Sequence, residues 1–128
     1  MKLNRRNFIS ASAGIAATIS SPMVFGASRP KVVVIGGGAG GATAARYIAK
    51  DSKGAIDVTL VEPTRSYYTC FFSNLYLGGF RDFDSIGHSY GKLASDYGIN
   101  VVHDWAVDVD SNGKTVSLAG GGTVNYDK

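Results

Sequence analysis

The chain has 128 residues, 45% hydrophobic and 18% charged, which is room for one domain with one modest core. Its 17 glycines are roughly twice the usual share of about 7%, but without the every-third-residue period of collagen or the low apolar content of a disordered chain. The net charge of +3 belongs to residues 1–31, which carry Lys2, Arg5, Arg6, Arg29, Lys31 and no acid; the remainder is slightly acidic and offers no footprint for a nucleic-acid backbone.

One cysteine, Cys70, excludes an internal disulfide and a cysteine-rich metal site. Residues 1–7 place a basic patch before FISASAGIAATI, a stretch too short and too rich in Ser and Gly to span a bilayer. Arg5-Arg6 followed by Asn7, Phe8 and Ile9 fits a twin-arginine export signal, so 1–27 is read as that signal, with small residues at Gly26-Ala27-Ser28 for cleavage. No transmembrane segment is expected, and 28–30 is a linker. The twin-arginine route takes folded proteins, often with a bound cofactor, so a periplasmic cofactor protein is expected.

Lys31 to Ile35, KVVVI, is a β-branched run without polar alternation, as in a central parallel strand buried on both faces. It enters Gly36-Gly37-Gly38-Ala39-Gly40-Gly41 and a helical segment, Ala42 to Lys50. Gly36, Gly38 and Gly41 match G-x-G-x-x-G: a tight turn, a close approach to a pyrophosphate, and close packing of helix on strand. With Ala39 and Gly40 they are the candidate phosphate-binding residues, at a helix N-terminus suited to anions. A second strand, Asp57 to Val61, ends in Glu62, 21 residues after Gly41, where a carboxylate would accept hydrogen bonds from a ribose. That carboxylate disfavours a 2′-phosphate and hence NADP. The motif does not separate FAD from NAD, but a unit opening the mature chain is usual for FAD.

Residues 64–74 hold Tyr67, Tyr68, Phe71 and Phe72 around Cys70; with Tyr76 and Phe80 these rings are expected mostly to serve as core or cofactor wall. Cys70 lies in this aromatic loop, where either a flavin link or a buried free thiol is open. Ile86, Tyr90, Leu93, Ala94 and Tyr97 are spaced along one face of a helix over 85–97, with Ser85 as N-cap and Gly98 as the stop. His88 and His103 have no partner at ligand spacing and are read as surface or hydrogen-bonded residues. Ile99 to Val102 reads as a third parallel strand. Asn112-Gly113 and Gly120-Gly121-Gly122 mark turns that make 105–126 an antiparallel meander. The fold class is therefore α/β: an incomplete Rossmann-type FAD-binding parallel sheet over 31–128, with a small antiparallel β-meander at its C-terminal end.

KVVVIGGGAGGATAARYIA, VTLVEP, YYTCFFSN and GINVVHD together resemble the flavoprotein subunit family of flavocytochrome c sulfide dehydrogenase, among the glutathione-reductase-like flavoproteins. The resemblance covers essentially the whole chain. It implies FAD held covalently, through a thioether from Cys70 to the 8α-methyl group, with Glu62 and Pro63 at the end of the second strand. It also implies polar contacts near the flavin from Ser73 and Asn74, and a backbone contact from Ala106 to the adenine. A covalent link would retain the flavin in the periplasm, and a thioether raises the flavin potential, which suits a cytochrome acceptor. The implied activity is sulfide oxidation, with electrons passing through FAD to a c-type cytochrome subunit. In the family a further strand, a second dinucleotide unit, a redox-active cysteine pair and an interface domain follow. The 128 residues are therefore expected to be an N-terminal fragment, itself inactive and without catalytic residues of its own. Two other readings are a quinone- or pyridine-nucleotide-linked flavin reductase, and a non-catalytic dinucleotide-binding module. The export signal argues against NADH as donor, because that pool is cytoplasmic.

Overall fold

A computed structural model describes residues 28–128; the export signal expected over 1–27 lies outside the described residues. Three strands form a parallel sheet in the order β1-β2-β5: β1 (Lys31–Ile35), β2 (Asp57–Val61) and β5 (Asn100–Val102). β1 and β2 pair in register from Lys31↔Asp57 to Ile35↔Val61, and β2 and β5 from Thr59↔Asn100 to Val61↔Val102. Helix α1 (Ala39–Ser52) crosses from β1 to β2, and α3 (Gly91–Tyr97) leads into β5. Both helices stop on a left-handed residue, Lys53 at φ 51° and Gly98 at φ 66°.

The core lies between the sheet and these two helices, with Ala45, Ala49, Val58, Leu60, Tyr90 and Ile99 buried together. Ala45 and Ala49 stand one turn apart, so α1 meets the sheet through small side chains and can lie close to it. Here the middle strand is β2, whose Val58, Leu60 and Val61 are almost fully buried. β1, expected to be buried on both faces, is only half-buried, and Ile35 is 50% exposed. The reason is its place in the sheet. Val34 packs on the core, but β1 flanks β2 on one side only. Its other edge is met by the last residues, where the Lys128 amide donates to Lys31 O and the Val33 amide donates to Lys128 O, a parallel bridge.

Between β2 and α3 the chain makes an excursion: β3 (Ser66–Tyr68), a 3₁₀ turn (Cys70–Phe72), α2 (Ser73–Leu77), a second 3₁₀ turn (Phe83–Ile86) and β4 (Gly87–Ser89). β3 and β4 pair antiparallel, Tyr67 opposite His88. The continuous helix expected over 85–97 is therefore not formed. Ile86 and Tyr90 are buried as that spacing demanded, but Ser85 caps no long helix and His88 sits in a strand. Glycines at 87 and 91 weaken a helix through this stretch, and strand pairing with β3 gives the same backbone groups partners.

The expected meander is present as β6 (Ala106–Asp110), β7 (Thr115–Leu118) and β8 (Thr123–Asn125). In its first turn Asp110 Oδ1 accepts the amides of Asn112 and Gly113, both at 2.9 Å, and the left-handed residue is Lys114 rather than Gly113. Among the described residues, no helix is long and apolar enough to cross a membrane.

Candidate functional site

β1 delivers the chain into the glycine turn at the C-terminal edge of the sheet, where open α/β folds bind ligands. Gly36 takes φ +94°, which an L side chain resists, and its amide donates to Val61 O at 2.9 Å, tying the turn to the tip of β2. Gly38 then caps α1 with extended backbone and no side-chain hydrogen bond, and the first turn of α1 holds no acid. Among the described residues, a Cβ built on Gly38 or Gly40 would meet nothing within 4 Å. The helix therefore offers unoccupied amides and its positive end to open space, with no side chain or carboxylate in the way. That arrangement fits the diphosphate of a dinucleotide.

Gly41 has the opposite surroundings. A Cβ there would overlap the carbonyl oxygen of Gly36, so the first turn of α1 rests directly on the backbone of the turn it leaves. Gly37, the unspecified position of the motif, is also crowded: a Cβ would fall 2.7 Å from the Tyr90 ring and 2.8 Å from Glu62 Cγ.

Glu62 reaches across from the end of β2. Its Oε2 accepts the Gly37 amide at 2.6 Å, and its Oε1 accepts both the Thr64 amide at 2.9 Å and the Thr64 hydroxyl at 2.6 Å. Burial pushes the carboxyl up, but the donors Thr64 and Gly37, with a smaller contribution from nearby His103, outweigh it and hold Glu62 below the usual range. A carboxylate has about four acceptor sites. Three are taken here, which leaves room on Oε2 for one ribose hydroxyl and makes Glu62 a tie for the turn as well. Pro63 follows, half-buried. His103, at the tip of β5, places Nδ1 3.1 Å from Glu62 O; a carbonyl only accepts, so this nitrogen carries the proton.

Cys70 opens the 3₁₀ turn after β3, and its exposure removes the buried-thiol alternative. The turn is fixed from beneath by Thr69, which is buried, accepts the Phe71 amide on Oγ1 at 3.3 Å and donates its own amide to Ile86 O at 3.0 Å. Ser73 and Asn74 serve local roles here: Ser73 Oγ donates to Cys70 O at 2.9 Å, and Asn74 Oδ1 accepts the Leu75 amide at 3.0 Å. Of the six aromatics expected mainly in core or wall roles, only Tyr67 is half-buried; Tyr68, Phe71, Phe72, Tyr76 and Phe80 are exposed. The two-stranded excursion is too small to enclose them. Tyr68 instead stacks on Phe83, ring centroids 4.4 Å apart, and Tyr76 leans on the same ring at 5.2 Å.

The structure brings the glycine turn, the α1 N-terminus and Glu62 into one place. Tyr67, three residues before Cys70, lines with Gly37, Arg46, His88, Tyr90 and Lys92 a cleft of about 450 Å³ beside the turn; Cys70 itself is not among the lining residues. Ala106 starts β6 opposite Leu118, beyond the tip of β5. Two residues of the site were not singled out for it from the sequence. Thr64 carries no motif signal. Tyr90 was read as one member of an apolar face, although the surplus glycine at position 37 marks a close neighbour.

Comparison with known proteins follows the same lines. Residues 30–128 match the family described as pyridine nucleotide-disulphide oxidoreductase. The sulfide dehydrogenase (flavocytochrome c) flavoprotein chain of Chlorobaculum thiosulfatiphilum is 54% identical over 44 residues, which are 34% of this chain and 90% of that sequence. Among solved structures, the sulfide:quinone oxidoreductase of Aquifex aeolicus superposes with a TM-score of 0.68 at 26% identity, over 77% of this chain and 23% of that one. The water-forming NADH oxidase of Lactobacillus brevis superposes with a TM-score of 0.69 at 27% identity, over 77% and 24%. The chain thus spans about a quarter of the length of these solved structures.

Proposed function

The chain belongs to the pyridine nucleotide-disulphide oxidoreductase family, and from that membership we propose that it is the FAD-binding N-terminal portion of a periplasmic sulfide:cytochrome c oxidoreductase flavoprotein. The observation that carries the dinucleotide reading is the uncapped, acid-free N-terminus of α1 facing open space beside the Glu62 carboxylate. The 54% identity to a flavocytochrome c flavoprotein chain supports the sulfide and haem c assignment, and the Arg5-Arg6 leader supports export.

In this reading Gly38, Ala39, Gly40 and Gly41 bind the diphosphate through backbone amides, and Gly36 shapes the turn. Glu62, with Pro63 beside it, accepts a ribose hydroxyl, and Ala106 meets the adenine through its backbone. Cys70 holds the flavin through a thioether, with Ser73 and Asn74 near the ring. Bound FAD would take the electron pair of sulfide and release it singly to a haem c subunit. The chain's own residues hold and orient the dinucleotide.

The test is intact mass with flavin fluorescence after acid precipitation, on protein matured in the periplasm. A mass gain equal to FAD, localised to the Cys70 peptide and lost in Cys70→Ala, is the expected result. Flavin freed by acid would move the assignment to a non-covalent reductase, for which the likeness to a sulfide:quinone oxidoreductase favours a quinone acceptor. A folded protein that takes up no flavin would overturn the reading.

A further inference from the structure

The two peptide units that meet at Gly37 are each held. The Gly37 N–H donates to Glu62 Oε2 at 2.6 Å, and the Gly37 C=O accepts the Tyr90 hydroxyl at 2.9 Å. Tyr90 is 5% exposed and sits between β4 and α3, fifty-three residues further along the chain. Its ring lies against Gly37 so closely that a Cβ there would fall 2.7 Å from both Cε1 and the hydroxyl oxygen. Among the described residues, Gly38, the next in the chain, has nothing within 4 Å of where a Cβ would stand. The carbonyl that Tyr90 engages belongs to the peptide whose N–H is that of Gly38, so the phenol fixes the plane of that amide.

We propose that Tyr90 is a positioning residue for dinucleotide binding: by holding the Gly37 carbonyl while Glu62 holds the Gly37 N–H, it aims the Gly38 amide and the N-terminus of α1 at the diphosphate. The proposal rests on the dinucleotide reading above. It accounts for the glycine at position 37, which the phosphate does not require but the Tyr90 ring does. It also gives the buried hydroxyl a role that apolar packing alone would leave to phenylalanine. A backbone amide held before the ligand arrives loses little freedom on binding, and preorganisation of this kind appears as affinity.

Tyr90→Phe keeps the ring and removes the clamp. It is made in a Cys70→Ala background, so that FAD binding stays reversible, and is followed by three measurements. The Gly38 amide resonance, recorded without ligand, is expected to move and its hydrogen exchange to quicken. The FAD dissociation constant, read by flavin fluorescence, is expected to rise about tenfold. The melting temperature should shift by only a few degrees, since the ring stays in the core. Gly37→Ala presses on the same contact from the other side, and its effect on FAD affinity should be non-additive with Tyr90→Phe. An unmoved Gly38 resonance, unchanged FAD affinity or strict additivity would each overturn the clamp. If the background protein itself fails to bind FAD, the flavin reading falls, and the ligand-free Gly38 resonance alone decides the clamp: moved, it stands; unmoved, it is wrong.

Discussion

Gly41 and Gly36 touch backbone to backbone: the position where a side chain would leave Gly41 is already filled by the carbonyl oxygen of Gly36. This contact sets how closely α1 approaches the end of β1, and so where its positive end stands relative to Glu62. A methyl group at 41 must push the helix off the turn. Gly41→Ala is expected to cost about 3 kcal/mol of stability and to abolish flavin uptake. Gly40→Ala, one residue away with nothing within 4 Å, is the control and is expected to gain about 0.5–1 kcal/mol from helix propensity. Denaturant unfolding of the two variants checks the contrast.

The Glu62 carboxyl is held below its ordinary value of about 4.3, so its ionised form stabilises the fold above that pH. The contribution is lost as pH falls from the ordinary value through the lower folded one. Glu62→Gln cannot titrate. It is expected to be about 1 kcal/mol less stable at neutral pH and to lose part of the acid-side slope, so that the two unfolding curves converge once the pH has fallen below the lowered folded value. Persistent separation at low pH would show that the Gly37 and Thr64 bonds do not depend on the charge.

Leu60 is fully buried on the middle strand, between α1 and the rest of the core. Leu60→Ala removes apolar contacts and leaves a cavity with no exposed face through which to relax. The expected loss is about 3 kcal/mol, read from the shift in the urea midpoint at an unchanged slope.

Cys70 is exposed and is the one cysteine of the chain. Flavin-free protein should react with a thiol reagent at one equivalent without denaturant, and flavin-loaded protein should not react at all. Equal labelling of both would disprove a thioether at this residue.

Lys53 ends α1 in the left-handed region at φ 51°, a conformation that costs a side chain. Lys53→Gly should raise stability by about 0.5–1 kcal/mol, seen as a higher melting temperature, with no effect on flavin binding.

Much of this was legible in the chain itself. KVVVI and DVTLV stand in the structure as strands with the boundaries their β-branched runs imply, and the glycine run opens the helix between them. These are local signals: strand propensity, a turn only glycine can make, an acid at a set distance. Gly98 as a helix stop and the turns of the meander belong to the same class. The family resemblance added an expectation that no local signal holds, a flavin link at the cysteine after two tyrosines and a threonine.

The limits have a physical cause as well. Spacing placed Ile86, Tyr90 and Leu93 against the core correctly, because burial follows the chain's apolar pattern whatever its backbone does. It did not show that 87–89 would pair with 66–68, since a strand partner twenty residues away leaves no trace in a helical period. Of the two roles expected for the aromatics around Cys70, core or cofactor wall, the five exposed rings do not take the first, for a similar reason: hydrophobicity says what a side chain prefers, and only the packed neighbours say whether anything is there to cover it.

The sequence alone thus determined the strands of the parallel sheet and the meander, the glycine turn, the acid opposite it and the family, because each is written in residues close together or in a motif. The tertiary structure alone decided that β1 flanks β2 on one side only, that Glu62 spends most of its acceptors on Gly37 and Thr64, and that Tyr90 closes on the Gly37 carbonyl. These relations join residues up to fifty-three positions apart, and distance along the chain carries no information about contact until the sheet and helices bring the parts together.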